Sequence, residues 1–142
     1  MYLTDDPFSI IHAVTACGVI VWDATEGEIV AANQTATQIL ALPLDTLLRR
    51  MERRHRTTLL RPDGTALPWE ERPSAVALRT GQAQRNVPVG VAYSDGQRRY
   101  LCVDAVPVRR NDGRVSWVVV SFIDVSEQAD AERRGTWEHL AR

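Results

Sequence analysis

Three valine-rich runs in the second half of the chain constrain its fold more than any other feature. They cover Arg85–Tyr93, Arg98–Arg109 and Val115–Val125. The segments between them, Ser94–Gln97 and Asn111–Arg114, each contain an Asp–Gly pair, which strongly favours a tight turn. Runs rich in β-branched residues that are joined by tight turns predict three consecutive antiparallel strands, a meander.

The first third of the chain predicts a hairpin followed by a helix. Gly18–Asp23 and Glu28–Ala32 are short apolar runs, and the turn-forming stretch Ala24–Gly27 separates them. Asn33 is a good N-cap for a helix over Gln34–Leu42, in which apolar residues recur at helical spacing.

The remaining segments predict helices. Pro7–Val14 has apolar residues at helical spacing, Leu44–Arg56 predicts one short helix, and Glu70–Thr80 predicts a helix that Gly81 ends. Ser126 is a candidate cap for a C-terminal helix over residues 127–142. The order predicts an α+β fold: a five-stranded antiparallel sheet with helices on one face. A central domain, residues 15–125, is flanked by an N-terminal helix (1–14) and a C-terminal connector helix (126–142).

Several segments, taken in order, resemble a PAS domain of the bacterial sensory type. The final one, Asp-Val-Ser-Glu, is similar to the D-I-T-E motif that closes many PAS domains before a signalling helix. The resemblance implies sensing of a small molecule or redox state, dimerisation and control of a downstream output domain. The segments are Gly18–Asp23, Glu28–Asn33, Leu60–Thr65, Glu71–Pro73 with Gly81, Asp95–Gly96, Ala105–Val108, Asp112–Arg114 and Asp124–Glu127.

Alternate residues of a strand share one face of the sheet, so the meander predicts two faces. By comparison with PAS domains, one face packs against the helices and lines an apolar ligand pocket. Its candidate residues are Ile20, Trp22, Val89, Val91, Leu101, Val103, Val118, Val120 and Phe122. The opposite face is also apolar and needs a second cover, either the N-terminal helix or another subunit, so we expect a homodimer. Its apolar residues are Cys102, Val106, Trp117, Val119 and Ile123.

The resemblance also allows two PAS cofactors to be tested. Cysteinyl-flavin photosensors carry a cysteine on a central helix, but residues 34–80 contain none. Haem-binding members use a histidine on the helix that corresponds to residues 70–80, and this segment has none. Both cofactors are therefore disfavoured, and the ligand itself is not identified.

Composition excludes some functions and disfavours others. All 17 basic residues are arginine, so a Schiff-base or P-loop lysine is excluded. The net charge of −1 and the single basic cluster, Arg49–Arg56, which lacks aromatic residues, favour a solvated helix face and no nucleic-acid or membrane contact. Cys17 and Cys102 stand in no metal-ligand spacing and indicate a reducing, cytoplasmic compartment. No linear catalytic motif is present, and no catalytic or metal-binding residue is predicted.

The resemblance makes Asp124 and Glu127 candidate residues for signal relay at the start of the connector helix. An ordinary helix cap is the alternative for Asp124. The leading hypothesis is a sensor in a two-component or similar system, with a kinase, cyclase-like or transcriptional output. The alternatives are a ligand-free dimerisation platform and, more distantly, a small-molecule enzyme on a similar α+β fold.

Overall fold

A six-stranded antiparallel sheet forms one layer of the structure, a computed structural model that describes residues 17–48, 58–93 and 95–127. The strands are β1 (Gly18–Asp23), β2 (Glu28–Ala32), β3 (Thr58–Leu60), β4 (Gln84–Ala92), β5 (Arg98–Arg109) and β6 (Val115–Asp124). Their order across the sheet is β2-β1-β6-β5-β4-β3, so β1 and β6, which are far apart in the sequence, are neighbours.

The predicted meander is confirmed, and β5 has the bounds that the sequence predicted. Both connecting turns use the predicted Asp–Gly pairs. The carboxylates of Asp95 and Asp112 each accept a hydrogen bond from the backbone N–H two residues later. Gly96 and Gly113 have φ angles of 88° and 86°, which glycine adopts without a steric penalty.

The prediction of five strands was one too few. The additional strand, β3, pairs with β4 at the edge of the sheet, and its Leu60 is buried. Three residues with no alternating pattern give little strand signal in a sequence. The free edge of β4 supplies the hydrogen-bonding partners, so this strand exists because of a contact made roughly 30 residues away in the chain.

In the described parts of the chain, three α-helices pack on one face of the sheet: α1 (Gln34–Leu40), α2 (Leu44–Leu47) and α3 (Pro73–Thr80). The helix predicted over Glu70–Thr80 is divided, since a separate 3₁₀ turn covers Trp69–Glu71. The backbone of Arg72 is extended (ψ 141°), because proline disfavours the helical conformation in the residue before it.

The other helix boundaries differ from the predicted ones. α1 ends two residues early, at Leu40, because Ala41 takes a left-handed conformation (φ 57°) and closes the helix. α2 ends at Leu47, where Leu48 becomes extended, well before the predicted end at Arg56. Residues 49–57, which include the whole basic cluster Arg49–Arg56, lie outside the described residues.

Both flanking helices were predicted in segments that are largely not described. The predicted N-terminal helix, residues 1–14, lies outside the described residues, and so does the connector beyond Glu127. Ser126 and Glu127 are helical. Within the described parts of the chain, no helix has the length and apolarity required to cross a membrane.

The core lies between the helices and the inner face of the sheet, the face that they cover. Its largest fully buried side chains come from strands β2, β4 and β6 and from helix α2. They are Ile29, Leu47, Val89, Val91 and Val118.

Candidate functional site

A small cavity lies between the inner face of the sheet and the start of α3. Its volume is about 70 Å³. Five of the six strands, all except β2, contribute residues to its wall, as do helix α1 and the start of α3. The lining residues are Ile20, Trp22, Leu40, Leu59, Arg72, Pro73, Ser74, Val89, Leu101, Val103, Val120 and Phe122.

The structure brings seven of the nine predicted pocket candidates to this cavity: Ile20, Trp22, Val89, Leu101, Val103, Val120 and Phe122. The other two, Val91 and Val118, are fully buried on the same face but pack in the core beside it. Strand periodicity grouped the residues of one face, and the resemblance to PAS domains assigned that face to the helices. Periodicity does not distinguish a cavity wall from solid core.

The residues on the helical and edge-strand side of the cavity were not among the predicted pocket candidates. Leu40 was already within the predicted apolar helix, and Leu59 comes from the unpredicted strand β3. Arg72, Pro73 and Ser74 come from the first turn of α3 and the residue before it. The available signal was Pro73, a residue that favours the first position of a helix and so marks where α3 begins.

Three side chains with polar groups, Trp22, Arg72 and Ser74, lie in the otherwise apolar wall. Trp22 is only 5% exposed, and its indole Nε1–H is buried with no hydrogen-bond acceptor among the described residues. Arg72 is half-buried, and its guanidinium carbon lies 6.0 Å from the centre of the Trp69 ring. Among the described lining residues, Arg72 carries the only ionisable side chain.

Gly18 allows the aromatic ring of Phe122 to form part of this wall. The two residues are cross-strand partners on β1 and β6, and a Cβ atom at Gly18 would lie 2.5 Å from the ring. A side chain at residue 18 would therefore force the Phe122 ring to move, and with it the shape of the cavity.

The cavity does not fit a flavin. Pockets for drug-sized ligands have volumes of about 300–1,000 Å³, several times that of this cavity. Neither Cys17 nor Cys102 lines it, and Cys102 pairs with Ile123 on the outer face of the sheet, the face opposite the helices. Burial raises the pKa of the Cys102 thiol, which further lowers its reactivity.

A second site, the exit junction, surrounds Asp124 at the end of β6. The guanidinium of Arg99 donates a hydrogen bond of 2.8 Å to Asp124 Oδ2, and the backbone N–H of Ser126 donates one of 2.9 Å to Oδ1. The hydroxyl of Ser126 also donates to Oδ1 and accepts a bond from the Tyr100 backbone N–H. Among the described residues, Asp124 thus supplies an oxygen that accepts a backbone N–H where the chain leaves the sheet.

The hydrogen bonds at the exit junction keep Asp124 ionised. Burial alone would raise the pKa of its carboxyl, but the bonds from Ser126 and Arg99 together hold this pKa below the ordinary value of 3.8. The bond to Asp124 likewise raises the pKa of Arg99. Glu127, the other predicted relay residue, is exposed to solvent.

Arg99 also connects the exit junction to helix α1. Its guanidinium carbon lies 6.0 Å from the centre of the Tyr93 ring, and the Tyr93 hydroxyl donates a hydrogen bond to the backbone carbonyl of Ile39. Burial raises the pKa of Tyr93, so this hydroxyl stays protonated as a donor. The next residue after Ile39, Leu40, lines the cavity.

Asn33 caps α1 and also joins it to β1. Its Oδ1 accepts hydrogen bonds of 2.9 Å from the backbone N–H groups of Ala36 and Val19, and its Nδ2 donates to the carbonyl of Cys17 at 2.8 Å. The residue is 9% exposed and is the only buried polar residue among the described ones.

The outer face of the sheet carries exposed apolar side chains. Trp117 and Ile123 are 46% and 45% exposed. The register places Trp117 beside Val108 and Ile123 beside Cys102, so they belong to one face. Exposed apolar patches of this kind are typical of interaction surfaces.

A curled antiparallel sheet with short helices on one face is the PAS type of α+β fold. The sequence model of the family described as PAS fold matches residues 5–125. The chain belongs to the PAS family, as its resemblance to that family indicated. Domains of this family are generally sensory rather than catalytic. No curated protein matches the chain.

Solved structures of a channel domain, a histidine kinase/response regulator and a photoreceptor share the fold. The PAS domain of the fruit-fly ELK potassium channel is 15% identical, with a TM-score of 0.64, over 88% of this chain and 99% of that one. A sensory box histidine kinase/response regulator from Burkholderia thailandensis is 14% identical, with a TM-score of 0.62 over 91% and 92%. The light-state dimer of the fungal blue-light photoreceptor Vivid is 22% identical, with a TM-score of 0.57 over 76% and 77%.

Proposed function

We propose that this chain is a sensory domain that binds a small, largely apolar molecule and transmits its presence through the segment after Asp124 to an output domain. The cavity between the sheet and α3 carries this proposal. Most of its lining side chains are apolar, and two of them, Leu101 and Phe122, lie on the strands that meet at the exit junction. The similarity to a sensory box histidine kinase/response regulator supports an output of that kind.

Transmission follows from the closeness of the cavity wall to the exit junction. Phe122 lies two residues before Asp124, and Leu101 follows Tyr100, whose backbone bonds both Val125 and Ser126. A ligand that shifts Phe122 or Leu101 therefore changes the geometry of the same hydrogen bonds that hold the chain's exit. The ligand acts by favouring one of two arrangements of this junction.

Native mass spectrometry of the purified chain, paired with its absorption spectrum, tests ligand binding. A bound molecule of defined mass supports the proposal and gives its chemical class. A chain of bare mass that no small molecule stabilises against thermal unfolding would contradict it.

Amide hydrogen exchange tests transmission. With a ligand that binds, protection at residues 125–127 is expected to change in the natural protein and not in Asp124→Ala, while the ligand's affinity stays the same. Asp112→Ala is the matched control, because Asp112 makes a similar turn contact with Arg114 far from the exit. If Asp124→Ala and Asp112→Ala respond alike, Asp124 has no role in relay.

A second candidate function, a dimerisation platform, rests on the exposed apolar outer face. We propose that a second copy of the chain covers Trp117 and Ile123. Trp117→Arg is expected to shift the chain from dimer to monomer in sedimentation equilibrium. Leu78→Arg is the control, since Leu78 is a 39% exposed apolar side chain on α3, in the other layer. A monomer before any substitution would contradict this candidate.

Catalysis, the third alternative, receives no support from the cavity wall. General acid–base chemistry needs a group that exchanges a proton near neutral pH, most often histidine or a carboxylate. The described residues of the wall include neither, and arginine stays protonated throughout that range.

A further inference from the structure

Space, and not backbone conformation, is what requires a glycine at residue 18. Gly18 lies in strand β1 and is not one of the glycines with a positive φ angle, so other residues could adopt its backbone conformation. A Cβ atom there would lie 2.5, 2.7 and 3.0 Å from Cε2, Cζ and Cδ2 of Phe122. Carbon atoms in contact are about 3.5–4.0 Å apart, so the edge of the ring takes the place of the missing side chain.

Asn33 holds the backbone on both sides of Gly18. Its Nδ2 donates a hydrogen bond of 2.8 Å to the Cys17 carbonyl, and its Oδ1 accepts one of 2.9 Å from the Val19 N–H. The backbone N–H of Asn33 also donates to the Val19 carbonyl at 3.0 Å. Buried hydrogen bonds are costly to break, so β1 would lose these bonds if it withdrew from Phe122 to make room for a side chain.

The ring of Phe122, in contrast, borders empty space. It lines the cavity together with Val103, its cross-strand neighbour on β5. Because protein cores are otherwise closely packed, a ring pushed away from β1 is expected to move into the cavity. A volume of about 70 Å³ holds only roughly five to seven water-sized groups at about 10–15 Å³ each. Even a partial displacement of the ring therefore takes up a substantial part of the cavity.

From these observations we infer that Gly18 is a specificity-determining residue: by leaving room for the edge of the Phe122 ring, it sets the size of the ligand that the cavity admits. This inference rests on the proposed ligand-binding function and adds a size class, a molecule of roughly five to seven non-hydrogen atoms. Gly18 is not itself in the cavity wall, so a larger residue there closes the cavity while every lining residue is kept.

Titration with xenon, followed by the amide NMR shifts of the chain, tests the inference, since apolar cavities bind xenon without a hydrogen bond. The natural chain is expected to show saturable binding. Gly18→Ala is expected to weaken this binding at least roughly tenfold, because the displaced ring occupies the space that xenon needs.

Gly90→Ala is the matched control for Gly18→Ala. Gly90 is also a buried strand glycine without a positive φ angle. A Cβ atom there would contact Leu60, which is not in the cavity wall. Gly90→Ala is therefore expected to retain the xenon affinity of the natural chain.

A double variant separates contact with the ring from general disturbance of β1. Phe122→Val removes the three ring atoms that a Cβ atom at residue 18 would meet. The double variant Gly18→Ala/Phe122→Val is therefore expected to bind xenon about as tightly as Phe122→Val alone. Urea denaturation shows whether each variant unfolds cooperatively. If Gly18→Ala alone does not fold, recovery of both folding and xenon binding in the double variant supports the inference.

Equal xenon affinity of Gly18→Ala and Gly90→Ala, or no recovery in the double variant, overturns the role of Gly18 but leaves cavity binding intact. A natural chain that binds no xenon also overturns the inference, and the native mass spectrum then decides the wider proposal. A retained small molecule means that only the size assignment was wrong. A bare chain means that the proposed sensory function falls with it.

Discussion

Two junctions between strands and helices, one at Asn33 and one at Asp124, use similar hydrogen bonds and differ in burial and charge. Each side chain bridges two separate segments and accepts a bond from a backbone N–H at a helix start. Asn33 is neutral and 9% exposed, whereas the side chain of Asp124 is charged, 24% exposed and paired with Arg99. A neutral buried bridge holds one geometry, while a partly exposed ionic bridge is weak enough to rearrange. The two junctions thus differ in the kind of bridge: a neutral buried one at Asn33 and an ionic, partly exposed one at Asp124.

The largest effect is expected from removing the buried bridge. Asn33→Ala leaves two N–H groups and one carbonyl without partners, and we expect a loss of about 3 kcal/mol in the free energy of unfolding. Urea denaturation measures this loss. Gln38→Ala, an exposed site on the same helix, serves as the control and is expected to change stability little. A loss below about 1 kcal/mol in Asn33→Ala would remove the contrast between the junctions.

A smaller effect is expected at the exit junction. Asp124→Asn keeps the shape of the side chain and an acceptor for Ser126 but loses the ionic bond to Arg99, so we expect a loss of about 1 kcal/mol at pH 7. The same urea experiment measures it, with Asp112→Asn as the matched exposed site. If Asp124→Asn costs as much as Asn33→Ala, the exit junction is as rigid as the buried one.

The pH dependence of stability separates the two junctions further. The pKa of Asp124 is lowered in the folded chain, so its ionised form adds stability above its unfolded value near 3.8. This contribution is lost as the pH falls through the lower folded pKa. The stability difference between the natural protein and Asp124→Asn is therefore expected to shrink below pH 4, whereas the difference for Asn33→Ala stays constant. A constant difference for both variants would show that charge does not stabilise the exit.

The smallest effect is expected from an ion pair that bridges no junction. Arg61 and Glu71 form a hydrogen-bonded pair at 2.8 Å whose side chains are 39% and 52% exposed. Solvent and salt screen such pairs, so Arg61→Gln is expected to leave the thermal unfolding temperature unchanged within error. A clear decrease in the unfolding temperature would mean that the exposure of an ion pair does not indicate how much it stabilises the fold.

Local patterns in the sequence determined much of the fold. The two Asp–Gly turns and the valine-rich runs predicted the meander, since a tight turn between two strands sets their pairing. Alternation along those strands grouped five residues of the cavity wall on one face, and the resemblance to PAS domains assigned that face to the helices. Asn33 was predicted as a cap because its type and its place before a helix are visible locally.

Other features depend on segments that are distant in the sequence, and only the tertiary structure decided them. β3 is a strand because β4 offers it an edge, and Asp124 is held by Arg99, 25 residues earlier. Trp22 and Arg72 line the same cavity only because β1 and the start of α3 pack close to each other. Patterns with periods of two or 3.6 residues report which face a residue occupies. They do not report which residues pack against that face, because those contacts depend on how the whole chain folds.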